Sequence, residues 1–490
     1  MNTDLEAYFA QFTQGIVGHN ALIETPYGSK RLLYCDWIAS GRLYQPIEDA
    51  ITNKIGPMVA NTHSESSDTG KLMTQAYHEA HEIIKRHVNA SEDDAIITCG
   101  TGMTGSLSKL IRILGLKMPE GIQGITPKAE IDRPVVFCTH MEHHSNQISW
   151  LETIADLVVV PPDEALLVDP EFLKIELEKY TDRKYKIGAF TACSNVTGIS
   201  PPYHKLAGIM HQYGGICLVD FAASAPYVEI NMHPKNSQEH LDGIFFSPHK
   251  FLGGPGSSGV LIFNKKLYKN TVPDEPGGGT VSWTNPWGGR SYFDDIELRE
   301  DGGTPGFLQA IRTALCIKLK EQMGVDNIEK QEILLVRVFI QGLKSIPSIR
   351  VLARSQLDRI GAISFYAEDI HFNLLVKLLN DRYGIQVRGG CSCAGTYGHY
   401  LLHVDEDYSN LLTSKIDEGD LSQKPGWVRA SIHPTMTLDE VAFILTAVEE
   451  IVANVAEWKK DYSYDPKTNE FRHFAEINRK SQIDNWFEMG

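Results

Sequence analysis

The stretch IFFSPHKFLGGPGSSGVLIF, residues 244–263, sets one lysine, Lys250, between two short apolar runs and beside a string of glycines. Lysine favours solvent and glycine weakens regular structure, so this lysine stands where backbone must approach something closely. The flanking runs, IFFS (244–247) and GVLIF (259–263), have strand length and aromatic or β-branched content. AIITC (95–99), PVVFCTH (134–140), ADLVVV (155–160), IGAFTA (187–192) and ICLVDFA (216–222) share that texture. Each is too short for a buried helix. Helical patterns such as SLSKLIRILGLK (106–117) and PEFLKIELEKY (170–180) lie between several of them. The alternation predicts an α/β domain over residues 31–300, built on a mostly parallel, doubly covered sheet.

After DGGTPG (301–306) the texture changes to FLQAIRTALCIKLKEQM, AISFYAE, HFNLLVKLLNDRYG, IQVRGG and TLDEVAFILTAVEEIVANVAEWKK. These predict a second, smaller α+β domain over 301–490, with residues 1–30 as an N-terminal segment packing against it. The region 265–305, dense in Gly, Pro, Trp and Asn, lacks clear elements and is long enough to be functional.

Composition narrows the partners. The 490 residues are 42% hydrophobic with no low-complexity tract, which excludes a disordered chain. The formal charge of −16, from 62 acidic against 46 basic residues, comes without any Lys/Arg block and argues against nucleic acid. No run approaches the ~18 apolar residues of a membrane helix. The acid-bearing start MNTDLEAYFAQFTQGIVGHN is not expected to be a signal or transit peptide. Eight scattered cysteines are then expected to be reduced thiols, and the expected compartment is the cytoplasm.

Ligands of open α/β sheets gather beyond the carboxyl ends of the strands. After AIIT comes CGTGMTGSLSKL, a match to G-x-G-x-x-G at Gly100, Gly102 and Gly105. A strand, a glycine turn and a helix start make an anion site, because free N–H groups and the helix dipole converge. A dinucleotide enzyme would also carry a ribose-holding acid at the end of the next strand, yet Glu120 sits in the loop MPEG. What survives is a phosphate site, with a plain glycine turn as the alternative.

After PVVFCTH come His143 and His144, adjacent but without the spacing of a metal site. No metal site is expected; an imidazole lying flat on an aromatic ligand suits the position. After IGAFTA, Asn195 can donate into the same crevice, or serve as a turn residue. After ICLV, Asp220 ends a buried run and needs a cation or a protonated ring nitrogen as partner. Lys250, Asp220, a flat histidine and a phosphate nest together describe a pocket for pyridoxal 5'-phosphate, with the lysine as covalent tether and the acid on the pyridine nitrogen. The order of lysine and glycine is the reverse of a P-loop. Burial would keep the free amine partly neutral, as proton transfer requires.

These residues resemble the class V, fold type I pyridoxal-phosphate enzymes, and among them the cysteine desulfurases and selenocysteine lyases. The likeness runs from YCDWIAS (34–40) to WVRASIHPTMTLDEV (427–441). It implies a large domain with a mostly parallel seven-stranded sheet and a smaller C-terminal domain. The family's Ser-x-His-Lys is similar to Ser247, His249 and Lys250, its Glu-His-His to Glu142, His143 and His144, and its Ser-Asn-Val-x-Gly to 194–198. The resemblance implies that Lys250 tethers the cofactor, His143 stacks on it and Asn195 touches its phenolic oxygen or the substrate. The phosphate turn resembles Gly100, Thr101 and Gly102, and the glycine loop that reaches the partner's phosphate in a homodimer with shared active sites resembles 277–280, ending in Thr280.

Within RGGCSCAGTYGHYLL (388–402) the desulfurase pattern Arg-Ala-Gly-x-x-Cys falls on Arg388, Gly389, Gly390 and Cys393. A thiol in a glycine-flanked loop beside a basic residue can form a thiolate and attack sulfur. Arg429, in VRAS, matches the arginine that clamps a substrate carboxylate, a bidentate task suited to a guanidinium. The implied activity is removal of sulfur from L-cysteine through a persulfide on Cys393, releasing alanine, with a protein sulfur acceptor as a possible partner. The alternatives are a class V aminotransferase, an epimerase or a selenocysteine lyase that uses the same site without the thiol. Three departures from the family stand out: Phe221, Ala222 and Ala223 after Asp220, Thr435 to Thr437 after the arginine, and the polar insertion 396–426, expected to be a lid or a docking surface.

Overall fold

All seven apolar runs are strands of one sheet in the computed structural model, which describes residues 3–62, 66–121 and 130–489. They are β1 (Asp94–Cys99), β2 (Val135–Thr139), β3 (Asp156–Val160), β4 (Lys186–Thr191), β5 (Ile216–Asp220), β6 (Gly243–Phe246) and β7 (Gly259–Asn264), in the order β1-β7-β6-β5-β4-β2-β3. The pairs β2/β3, β2/β4, β4/β5 and β5/β6 are parallel, while β7 runs antiparallel to both β6 and β1. Every residue of β2, β4 and β6 is buried, which is why these strands read as continuous apolar runs without alternation.

Helices α1 (Asp68–His87), α2 (Met103–Ile113), α3 (His144–Leu151), α4 (Pro170–Glu178) and α5 (Tyr203–Gln212) cover the sheet or link its strands. Their starts are locally specified: Ser67 Oγ accepts from Gly70 N–H at α1, and Asp169 caps α4 ahead of Pro170. Because the parallel strands share one direction, the residues after β2, β4, β5 and β6 emerge along one edge, and there the candidate site residues meet.

The region 265–305 is more regular than expected. It forms a hairpin of β8 (Val281–Thr284) and β9 (Arg290–Tyr292) and a short helix over Ile296–Arg299. Its anchor is buried charge: Lys109 Nζ lies 3.1 Å from Glu300 Oε2, and Arg112 Nη2 lies 2.8 Å from Asp274 Oδ2. Turn-forming residues masked these elements, and the residues that α2 holds, Asp274 and Glu300, flank the hairpin.

Helices α6 (Phe307–Met323) and α7 (Val325–Ser345) follow, then β10 (Ile349–Val351), β11 (Ala362–Ala367), α8 (Phe372–Tyr383), β12 (Arg388–Gly390), α9 (Gly395–Leu401), α10 (Glu406–Asp417), β13 (Trp427–Ser431) and α11 (Leu438–Trp458). The antiparallel sheet β10-β11-β13-β12 packs on α7, α8 and α11 through Phe339, Ile363, Phe365, Leu375, Val428 and Ile444. A capping box between Thr437 and Glu440 starts α11. Helix α6 packs elsewhere: Ala310 and Ile311 meet Tyr77 and Ala80 of α1, while Cys316 and Ile317 join the core of the large sheet. The stretch IQVRGG splits, because Ile385–Gln386 pairs in parallel with Leu33–Tyr34 before Arg388–Gly390 pairs with β13. That pairing carries Asp36, two residues beyond Tyr34, to the edge where Arg388 lies. No helix among the described residues is long and apolar enough to cross a membrane.

Candidate active site

A cavity of about 200 Å³ opens beyond the carboxyl edge of the large sheet, lined by His143, Asn195, Asp220, Ser247, His249, Lys250, Arg388 and Arg429 among others. Lys250 sits in the turn Pro248–Lys250 that follows β6. Desolvation pushes its amine down to about 8; nearby Asp220 opposes the shift, and Arg429 and Arg388 reinforce it. Asp220 ends β5, with its Oδ1 accepting from Ala222 N–H at 2.8 Å. Burial raises its carboxyl to about 6, against that hydrogen bond and the charge of Lys250.

His143 caps α3, and its Nδ1 accepts from Ser145 N–H at 3.1 Å, so the neutral ring carries its hydrogen on Nε2. Burial, with Lys250, His144 and the two arginines adding to it, lowers this imidazole to about 3. It is a neutral ring at any physiological pH.

The glycine turn has a steric explanation. Gly100 is left-handed at φ 57°, and a Cβ there would stand 3.3 Å from Gly105 Cα, so these two glycines let strand end and helix start touch. A Cβ on Gly102 would lie 2.9 Å from Ser247 Oγ and 3.5 Å from His249 Cδ2. Ser247 Oγ accepts the Met103 N–H at 2.8 Å, tying the start of α2 to the lysine turn. Thr101 is exposed and does not line the cavity, whereas Thr104 and Ser145, joined Oγ1 to Oγ at 2.7 Å, do. Thr280 is buried away from this cavity, its Oγ1 donating to Gly277 O at 2.7 Å.

Arg429 on β13 stands directly opposite Arg388 on β12. Like charges in register destabilise a sheet unless an anion joins them. Asp36 supplies one, with Oδ1 2.8 Å from Arg429 Nη2 and Oδ2 3.9 Å from Arg388 Nε. Arg429 Nη1 also donates to Asn195 O at 3.0 Å, while its Nε is buried without a partner among the described residues. One carboxylate against two guanidiniums leaves positive charge in excess, so the cavity favours a further anion.

The cysteine loop closes the rim. Ser392 and Cys393 are both left-handed, at φ 51° and 57°, a conformation that costs roughly 1–2 kcal/mol per residue. Hydrogen bonds hold it: Asn195 Nδ2 donates to Ser392 O at 2.6 Å, His144 N–H to Cys393 O at 2.8 Å, Gly395 N–H to His144 Nε2 at 2.8 Å, and Trp427 Nε1–H to Ser392 Oγ at 3.2 Å. Ser392 lines the cavity; Cys393 is exposed at its rim. Cys391 donates its S–H to Pro425 O at 3.0 Å, and burial raises its thiol above the ordinary value.

A family model for "Aminotransferase class-V" matches residues 33–444. The chain belongs to that family. A probable cysteine desulfurase of Halalkalibacterium halodurans is 31% identical over 74% of this chain and 84% of its own length. One of Staphylococcus aureus is 29% identical over 80% of this chain and 93% of its own. Among solved structures, an apo cysteine desulfurase from Thermococcus onnurineus superposes with a TM-score of 0.71 at 24% identity, covering 91% of this chain and 98% of that one. The Escherichia coli cysteine desulfurase CsdA gives 0.68 at 21% identity over the same shares, so both show a common fold.

For this class V chain, sequence singled out the residues that follow strands. It missed Asp36, whose place depends on the Leu33–Tyr34 pairing, and the grip of His144 on the cysteine loop. The glycine-flanked cysteine loop is pinned at four points. The insertion 396–426 holds the two helices α9 and α10.

Proposed function

We propose that the protein is a pyridoxal-phosphate-dependent cysteine desulfurase acting on L-cysteine. The observation that carries the reading is one cavity joining a lysine amine of lowered basicity, a buried carboxylate beyond the neighbouring strand, a neutral histidine ring and two arginines. The residues fit the cofactor. Asn195 Oδ1 and Arg429 Nε are buried polar atoms without partners among the described residues, and Gly102 leaves room for a group at the start of α2. Lys250 would hold the cofactor covalently, Asp220 its ring nitrogen, His143 its flat face, and Gly102, Ser247 and His249 its phosphate end, while exposed Thr101 is left out of that set. When bound, the cofactor supplies an electrophilic carbonyl and an electron sink.

The chain's own groups do the rest. Arg429, with Arg388 beside it, binds the substrate carboxylate by the charge excess described above. Lys250 takes the α proton at Nζ; lowered to about 8, its amine keeps a neutral fraction near pH 7 that an ordinary lysine lacks. Cys393 forms a bond to the substrate sulfur as its own proton leaves, the carbon–sulfur bond breaks with its electron pair passing to the β carbon, which takes up a proton, and the persulfide remains on Cys393 while alanine leaves. A thiol or protein acceptor then takes the outer sulfur, with α9 and α10 beside the loop as its docking surface. Thr280, in the loop next to the hairpin that exposes Trp283 and Trp287, would serve a second copy's site in a homodimer.

Protein reconstituted with pyridoxal 5'-phosphate and given L-cysteine should release alanine and, under reductant, sulfide in equal amounts. Lack of both overturns the reading. The exposed position of Cys393 favours one second reading, a class V reaction that does not use the thiol. Alanine or keto acid formed at full rate by Cys393→Ser would establish it.

A further inference from the structure

Strand β6 leads to Lys250 at one end; Asp242 stands just before its other end. Two histidines converge on that carboxylate. His211, in the last turn of α5, places Nε2 2.8 Å from Asp242 Oδ2, and His240 places Nε2 3.4 Å from Oδ1. The opposite ring nitrogens are committed to backbone: His211 Nδ1 lies 2.6 Å from Gln238 O and His240 Nδ1 2.8 Å from Ser237 O.

A carbonyl oxygen only accepts, so both Nδ1 atoms carry hydrogen. Each neutral ring therefore turns an Nε2 lone pair toward a carboxylate oxygen, a repulsive contact unless something positive lies between. Filling both gaps with protons makes two imidazolium rings, and these rings stack with centroids 4.1 Å apart and planes 15° apart. One divalent cation replaces both protons and removes the clash.

We infer that His211 Nε2, His240 Nε2 and Asp242 form a binding site for a transition-metal dication of the Zn²⁺ type. The three ligand atoms lie within 4.8 Å of one another, and a tetrahedral ion with bonds near 2.0–2.2 Å sets its ligand atoms about 3.3 Å apart, a small adjustment from these positions. Nδ1–H held by a carbonyl is the outer support that orients metal-binding histidines. Asp242 is itself steadied, its Oδ2 accepting Cys217 N–H at 2.8 Å. His233 stands parallel beyond His240, at 6.5 Å, but its Nε2 is engaged by Asp94 at 2.6 Å and is not a ligand. Three protein ligands leave the fourth position to water.

The site joins the end of α5 to the starts of β5 and β6, on the edge of the sheet opposite Lys250. The ion would staple the fold there and take no part in the reaction proposed above, so either inference can fail alone.

Cofactor-loaded protein, stripped with a chelator and titrated with Zn²⁺, should take up one equivalent per chain and melt at a higher temperature. Co²⁺ should give the intense visible absorption of a tetrahedral site. His240→Ala, at a part-exposed position, and His211→Gln should weaken uptake at least about tenfold and abolish the Co²⁺ band and the thermal response. The double variant Cys391→Ser/Cys393→Ser should retain all three. Absence of stoichiometric uptake, or uptake unchanged in His240→Ala, overturns the site; so does its loss in the thiol variant alone. Should His211→Gln not fold, His240→Ala decides.

Discussion

The floor of the cavity and its rim are built by different physics. Lys250 and Asp220 are held by strand ends inside a sheet whose central strands are wholly buried, and desolvation alters their basicity. Cys393 is held by a handful of hydrogen bonds that outweigh a left-handed backbone at two consecutive residues. A floor of this kind cannot shift without breaking the core. A rim of this kind can, and a thiol that must reach a substrate and then an acceptor needs that freedom.

Substitution tests the contrast. On the floor, Lys250→Ala should cost the largest factor, roughly 10²–10⁴-fold in alanine release or more, and should remove the borohydride-stable cofactor adduct at that position. At the rim, Cys393→Ser should abolish sulfide release while leaving the cofactor's visible absorbance unchanged, because the thiol lies outside the cavity lining. If the absorbance were lost too, floor and rim would not be separable.

Arg429→Lys tests the wall between them. A point charge in place of a fork should raise KM by roughly 10- to 150-fold, the equivalent of about 1.5–3 kcal/mol, with kcat less affected. Asp36→Asn would sharpen this, since it leaves two opposed guanidiniums without their shared anion.

The lowered basicity of Lys250 has a pH signature. The unfolded chain holds its proton up to the ordinary lysine value of 10.5, whereas the folded, cofactor-free protein loses it near 8. Between these values the unfolded state binds more protons, so stability rises with pH across that window. Melting temperatures from pH 8 to 10 should show the rise relative to Lys250→Met; parallel curves would mean the amine is not desolvated. The smallest effect belongs to His144→Ala. It removes the acceptor for Gly395 N–H, costs about 0.5–1.5 kcal/mol of loop order, and should speed alkylation of Cys393 while lowering desulfuration by at most about tenfold.

Legibility followed the same division. Six of the seven strands were readable because strands buried on both faces are continuously apolar, the half-buried edge strand β3 being read from its β-branched run, and Lys250 and Asp220 were readable as charges that follow or end such runs. The hairpin β8–β9 was not, since Gly, Pro and Asn give no period. Nor were α9 and α10, whose polar faces look like a solvated loop. His211, His240 and Asp242 went unremarked because their separations match no metal motif; a helix end and a strand start supply them.

Local chemistry by itself determined the strand pattern, the glycine-backed lysine and the acid at the end of the preceding strand, because burial and backbone sterics act residue by residue. Only the tertiary structure decided which cation each anion serves. Asp36 reaches Arg429 across 393 residues, and Asn195 reaches Ser392 across 197. Pairing energies depend on distance in space, which chain position does not encode.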